Sequence, residues 1–311
     1  MKTITLKKVV CVSALLLLLG STANAATLWV NCGARNGLTS INAALKALKS
    51  AESRGPATIN VSGGCQENVV IRSMDRLTLN ATPGASITDR SGGTLDVINI
   101  SDSQDVTINN LTVNAGADGV SGTNGIVCGD GALCRLNNDT VQGATDGAGI
   151  AVFTLSGARL TGVTLLNNGI GLQVVNGATA VGDATMRGNN RGIHMVTGAV
   201  VNLTANITQS HELGVFGTTN ATLNCNACVI TGNAGGGVLL RQSSSARFTS
   251  GFTITNNGGP GVQLTDLSSA LFQGGTVTGN GGGTDVLCGP QYSVTRGTSD
   301  IGGGSTNCVE P

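Results

Sequence analysis

The sequence predicts an all-β parallel β-helix, a single-stranded solenoid with coils of about 22 residues and a capping helix at its start. Three observations predict it. A Gly–aliphatic–x–aliphatic unit recurs at a near-constant interval, an asparagine recurs just ahead of that unit, and one amphipathic helix precedes the first coil.

The recurring unit reads Gly149-Ile150-Ala151-Val152, Gly171-Leu172-Gln173-Val174, Gly192-Ile193-His194-Met195, Gly237-Val238-Leu239-Leu240 and Gly261-Val262-Gln263-Leu264. A degenerate copy stands at Gly214-Val215-Phe216-Gly217, Gly125 starts the series, and Asp285 ends it. The separations from Gly125 to Gly261 are 24, 22, 21, 22, 23 and 24. Leucine-rich repeats share this length but carry a Leu-x-x-Leu-x-Leu-x-x-Asn frame that is absent here. Val, Ile, Thr and Gly alternating with polar residues mark strands. Three short strands and three turns fill one coil, and stacked coils place like strands ~4.8 Å apart in parallel sheets. Each coil serves as its own crossover, so no helix is needed between parallel strands.

Alternation assigns the faces. The aliphatic pairs Ile150/Val152, Leu172/Val174, Ile193/Met195, Val238/Leu240 and Val262/Leu264 point inward. Ala151, Gln173, His194, Phe216, Leu239, Gln263 and Leu287 point outward. The asparagines Asn167-Asn168, Asn189-Asn190, Asn233, Asn256-Asn257 and Asn280 precede the units. Asn tolerates left-handed backbone and satisfies neighbouring peptide groups, so one per coil predicts an amide ladder.

The chain opens with Lys2, Lys7 and Lys8, an apolar run from Val9 to Leu19 and small residues ending Ala23-Asn24-Ala25, the three parts of a secretory signal peptide. The expected divisions are a signal peptide over 1–25, an N-terminal cap over 26–57, the β-helix over 58–288 and a C-terminal cap of irregular structure over 289–311. The expected location is secreted or periplasmic, with no membrane span. Within the cap, Ile41, Ala44, Leu45 and Leu48 form one apolar helical stripe, with Thr39 or Ser40 as N-cap and Gly55-Pro56 as the stop.

Without residues 1–25 the chain has 14 basic residues against 17 acidic ones. The arginines are scattered along the sequence, which argues against a nucleic-acid partner. Eight cysteines follow residue 25, and an even number in an exported chain predicts disulfides. The pairs expected are Cys32–Cys65, Cys128–Cys134, Cys225–Cys228 and Cys288–Cys308. Zinc lacks ligands, because only two His exist and neither is near a cysteine pair.

After the helix comes Ile59-Asn60-Val61-Ser62-Gly63-Gly64-Cys65-Gln66-Glu67-Asn68-Val69-Val70-Ile71. This resembles the first coil of the pectate lyase-like β-helix superfamily, where I-x-V-x-x-G-x-Y-x-E-x-V-x-I follows a capping helix. The resemblance covers the helix, this coil and the repeats, and it implies right-handed coils. It departs at Cys65, where the family carries an aromatic residue. The superfamily holds pectate lyases, polygalacturonases, pectin esterases and alginate epimerases beside non-catalytic adhesins and tail-spike proteins, so fold alone does not choose a function.

The polygalacturonase and pectin esterase motifs are absent. Asp118, Asp130, Asp139 and Asp146 on Gly-rich segments are the candidates for a Ca²⁺ site, with ordinary turns as the alternative. No other cofactor is expected. His194, Arg191, His211 and Glu212 are the candidates for acid–base chemistry, with solvated surface residues as the alternative. Phe153, Gln173, Val175, Val196, Phe216 and Leu239 on successive coils form an outward face unusually apolar for a solvated sheet, the mark of a partner site. The function expected is therefore a non-catalytic exported scaffold that binds a surface polysaccharide or a protein partner. A polysaccharide lyase or glycoside hydrolase with an unfamiliar site is the alternative.

Overall fold

Each coil runs through short strands, and every strand pairs in parallel with its counterpart one coil away. The computed structural model describes residues 25–50, 56–116, 122–289 and 293–310. The expected signal peptide lies outside the described residues, save Ala25. Among the described residues the strands form one sheet of ten and one of nineteen. The ten-stranded sheet is one side of the solenoid. The larger sheet wraps the other two, because strand Gly157–Leu166 pairs with both Leu133–Asn137 and Thr140–Gln142.

The inward register follows the aliphatic pattern. Ile126, Ile150, Leu172, Ile193, Val215, Val238, Val262 and Val286 pair rung by rung, and all are buried. The parallel row Cys128, Val152, Val174, Met195, Gly217, Leu240, Leu264 packs beside it. At Gly217 a Cβ would stand 2.8 Å from Leu240 Cδ2 and 3.0 Å from Met195 Cε, so its neighbours fill the space a side chain would take. Towards the C-terminus, Phe248 and Phe272 stack with centroids 5.5 Å apart, and Phe252 closes the group.

The amide ladder forms and explains the repeat glycines. Asn168 donates its backbone N–H and its amide to Asn189 Oδ1 at 2.9 and 3.1 Å. Asn233 donates likewise to Asn257, and Asn257 to Asn280. The same amides donate to carbonyls of Val141, Leu165, Ile207, Ile230 and Ile254. The ladder skips one coil. Ser210 takes the asparagine's place, and its buried hydroxyl has no partner among the described residues. The repeat glycines lie against this ladder. A Cβ on Gly171 would sit 2.6 Å from the Gly192 carbonyl oxygen and 3.1 Å from Asn189 Nδ2. Close stacking, rather than unusual dihedrals, therefore requires glycine there.

Both ends are closed. The helix Ile41–Ser50 buries Ile41, Ala44, Leu45 and Leu48. Ser40 Oγ accepts from Ala43 N–H at 3.0 Å. Glu67, buried below it, accepts from the N–H groups of Ile41 and Asn42 at 2.7 and 3.1 Å. A carboxylate at a helix N-terminus satisfies donors that have no partner within the helix. Each cap adds a strand that the repeat unit does not predict. Ala26–Asn31 pairs in register with Ala57–Ser62, and Val294–Arg296 pairs with Ser269–Gln273. The C-terminal segment thus adds a strand rather than irregular chain alone. Ser305 then donates to Asp285 at 3.0 Å.

The four cysteine pairs are disulfides: Cys32–Cys65, Cys128–Cys134, Cys225–Cys228 and Cys288–Cys308. Such a set fits an oxidising compartment. Among the described residues no helix is long and apolar enough to cross a membrane.

Candidate binding face

The ten-stranded side carries one outward row: Val127, Ala151, Gln173, His194, Phe216, Leu239, Gln263 and Leu287, paired rung by rung. Val175 and Val196 form the next row with Thr218. At the strand spacing, Phe153 to Leu239 crosses five strands and ~19 Å.

One part of this face departs from expectation. Ala151 points away from the core but is fully buried. With Val127 and Ala148 it forms a small apolar cluster outside the sheet, against which Phe153 and Ile170 pack. Phe153 is therefore partly consumed in covering that cluster. The accessible part of the row begins at Gln173, and Gln173, Val175, His194, Val196, Phe216 and Leu239 are all half-buried.

The acid–base candidates gather at the edge of this same face. His194 and Phe216 are neighbours across strands, with ring centroids 5.1 Å apart. Arg191, at the start of the His194 strand, places its guanidinium 5.3 Å from the Phe216 centroid and pairs with Glu212 at 2.6 Å. His211 lies in the preceding turn, with Nδ1 3.1 Å from Asn190 Oδ1. Beside it Arg187 donates to Gln209 at 2.8 Å. Burial, reinforced by the Arg191 charge, pushes the His194 pKa down to about 4. The imidazole is neutral at pH 7, and its buried Nδ1 has no partner among the described residues.

The three described aspartates do not converge. Asp130 stands in the turn between Ile126–Gly129 and Leu133–Asn137, with left-handed φ of 53°. Asp139 lies between Leu133–Asn137 and Thr140–Gln142, and Asp146 between Thr140–Gln142 and Ala148–Val152. These are three different corners of the coil, and Asp118 lies outside the described residues. Among the described residues, the one group of three metal-ligating side chains within reach of one another is Cys32, Cys65 and Glu67. Its cysteines form a disulfide and its carboxylate caps the helix.

Asp139 has a different role. It is fully buried, its Oδ1 accepts from Leu111 N–H at 2.8 Å, and its Oδ2 has no partner among the described residues. Burial outweighs its backbone hydrogen bonds and pushes its pKa up to about 8. Between pH ~4 and ~8 the unfolded chain ionises this group while the folded chain keeps it protonated, so stability falls as pH rises. His194 acts in the opposite sense, losing stability as pH falls from ~6.5 towards 4. From pH 6.5 to 8 the Asp139 effect therefore stands without that opposition. Thermal melts of Asp139→Asn should be several degrees higher than wild type at pH 8, with little difference at pH 4. An Asn variant with the wild-type pH profile would contradict this reading.

Residues 148–298 match the family model described as "Right handed beta helix region". The chain is a right-handed parallel β-helix. No curated protein matches it in sequence. Among solved structures, the enzymatically active domain of Bacteriophage CBA120 tailspike protein 2 is similar, with 12% identity and a TM-score of 0.62 over 88% of this chain and 47% of that one. Dettilon tailspike protein matches at 11% identity and a TM-score of 0.50, over 86% of this chain and 64% of that one. The chain thus spans less than two thirds of either, and the likeness is one of fold.

Proposed function

We propose that this chain is an exported, non-catalytic β-helix that binds a surface glycan through its ten-stranded side. The observation that carries the reading is the half-buried row Gln173–His194–Phe216–Leu239, with Val175 and Val196 beside it. An aromatic and aliphatic strip receives the apolar face of a sugar ring, while flanking amides and charges reach its hydroxyls. The four disulfides support export.

The titratable groups support binding over chemistry. Glycoside hydrolysis commonly uses two carboxylates across the scissile bond. Here the carboxylate identified beside the row, Glu212, is engaged by Arg191. The gathering of His194, Arg191 and Glu212 favours a lyase or hydrolase as the second reading, with a neutral His194 as base.

The two readings separate by substitution. Val175→Glu with Val196→Glu leaves the core intact, because both side chains point outward. That double variant should stay folded, melting within a few degrees of wild type, and lose at least tenfold in binding of uncharged glycans, measured by glycan-array retention. Asp130→Asn, in a turn away from the row, should bind within about threefold of wild type. Equal retention by the double valine variant would overturn the proposal.

A further inference from the structure

The arginines are scattered in sequence, yet folding aligns four of them. On a second side of the solenoid one outward row runs Arg135, Arg159, Val181, Asn202, Asn224, Arg247, Leu271 and Arg296, each paired with the next across adjacent parallel strands. The row covers eight strands, or ~34 Å. Val181, Asn202, Asn224 and Leu271 separate the arginines, so the row is interrupted rather than a continuous basic stripe.

The charges on this side are unbalanced. Four of the chain's 14 basic residues beyond residue 25 lie in the row. Arg135 pairs with Asp105. Asp183, two residues beyond Val181, accepts from Gly162 N–H at 2.6 Å. Arg247 donates to a neutral partner, Gln273, at 3.0 Å. Arg159 and Arg296 have no carboxylate partner among the described residues. All four arginines are exposed. The lining between them carries amides and hydroxyls around Arg247 and is mostly apolar at the two ends, where Leu133, Ala158 and Val181 lie beside Arg135 and Arg159, and Leu271 and Val294 beside Arg296. One groove is lined by Asn202, Asn224, Asn226, Thr249 and Gln273 around Arg247, and the next continues to Arg296. A third, beside Leu133 and Val181, holds Arg135 and Arg159.

We propose that this side binds a linear anionic glycan lying along the solenoid axis, with the arginines on its acidic groups and the amides and hydroxyls on its sugar hydroxyls. The surface is independent of the His194–Phe216 face. Guanidinium forks match carboxylate and sulfate oxygens in pairs. Charge complementarity selects the occupant: a neutral glycan leaves Arg159 and Arg296 without counter-charge. A rigid row of shallow grooves along parallel strands suits an extended chain rather than a compact ligand.

The test is affinity electrophoresis of the full chain against polygalacturonate, heparin and neutral dextran at low salt. Retardation by at least one anionic glycan and none by dextran is expected. Raising the salt from about 50 to 300 mM should weaken retention at least tenfold, because exposed charges are screened. The triple variant Arg159→Ser, Arg247→Ser, Arg296→Ser should fold normally, as its side chains are exposed, and lose at least tenfold in affinity. Val175→Glu with Val196→Glu should keep anionic-glycan retention, which separates this surface from the ten-stranded side. Polygalacturonate alone would identify carboxylates as the recognised groups, and heparin alone would identify sulfates. No retention by either glycan, wild-type retention by the triple variant, or stronger retention by duplex DNA than by both glycans would overturn the proposal.

Discussion

Leu240→Asp is expected to collapse the stack. Leu240 is fully buried, pairs with Gly217 on one side and Leu264 on the other, and fills the space above Gly217. Its neighbours on the rung are apolar, so an aspartate there finds neither a hydrogen-bond donor nor a counter-charge. Burying such a carboxylate costs several kcal/mol even when the group protonates. Domains are stable by about 5–15 kcal/mol in total. A solenoid adds a further consequence, because each coil is held by its two neighbours and a broken rung releases both flanks. Circular dichroism melts should show a loss of at least 15 °C or no folded protein. Leu239→Asp is the matched control. Leu239 occupies the next position on the outward row, and its variant should melt within a few degrees of wild type. Equal melting of the two variants would mean that the assigned faces are wrong.

Gly192→Ala is the second substitution with a large expected effect. A Cβ there would stand 2.3 Å from Ile207 Cγ2 and 2.5 Å from the Gly214 carbonyl oxygen. The second contact is with backbone of the neighbouring coil, which cannot rotate away. Relief requires the coils to separate, which lengthens the parallel ladder next to Ser210, where the asparagine series is already broken. Overpacking a well-filled site costs about 1–3 kcal/mol, and the strained ladder adds to it. Gly198→Ala tests the cause. Gly198 has a left-handed φ of 69° but nothing within 4 Å of its would-be Cβ. It should lose only ~1–2 kcal/mol, the cost of left-handed backbone in an L-residue. Urea midpoints should therefore fall more for Gly192→Ala than for Gly198→Ala. The reverse order would show that dihedral freedom, not stacking, fixes the repeat glycines.

What the sequence made legible was what repeats within one coil. Period-two alternation located the inward pairs, and recurrence located the asparagine ladder and the glycines beside it. Cysteine spacing located all four disulfides. What remained hidden depends on neighbours several coils away. Ala151 reads as outward and is outward, yet Phe153 and Ile170 cover it. The arginine row keeps the spacing of the repeat, since Arg135, Arg159 and Arg247 each stand ten residues after Gly125, Gly149 and Gly237. It is hidden because Val181, Asn202, Asn224 and Leu271 hold the same position on the other coils, so no charge recurs from one copy of the unit to the next. Asp139 looked like a loop carboxylate, and only burial reveals its raised pKa. The end strands Ala26–Asn31 and Val294–Arg296 lack a copy of the repeat unit, so periodicity could not find them.

The candidate site was legible in part. His194, Phe216 and Leu239 followed from the alternation, and the nearness of Arg191 and Glu212 to them followed from the coil length. The direct pairing of Arg191 with Glu212, across 21 residues, needed the register itself. That pairing bears directly on the function, because it occupies the carboxylate that acid–base chemistry would use.

The most direct test of the binding account is a product assay on the wild-type chain. The protein would be incubated with a panel of plant and bacterial polysaccharides, and each reaction would be read for retained glycan, new reducing ends and unsaturated sugar ends. The account predicts retention of at least one glycan with no new ends of either kind. Products that accumulate with wild type and vanish with His194→Ala would contradict it and establish an enzyme at the Arg191–His194–Glu212 edge.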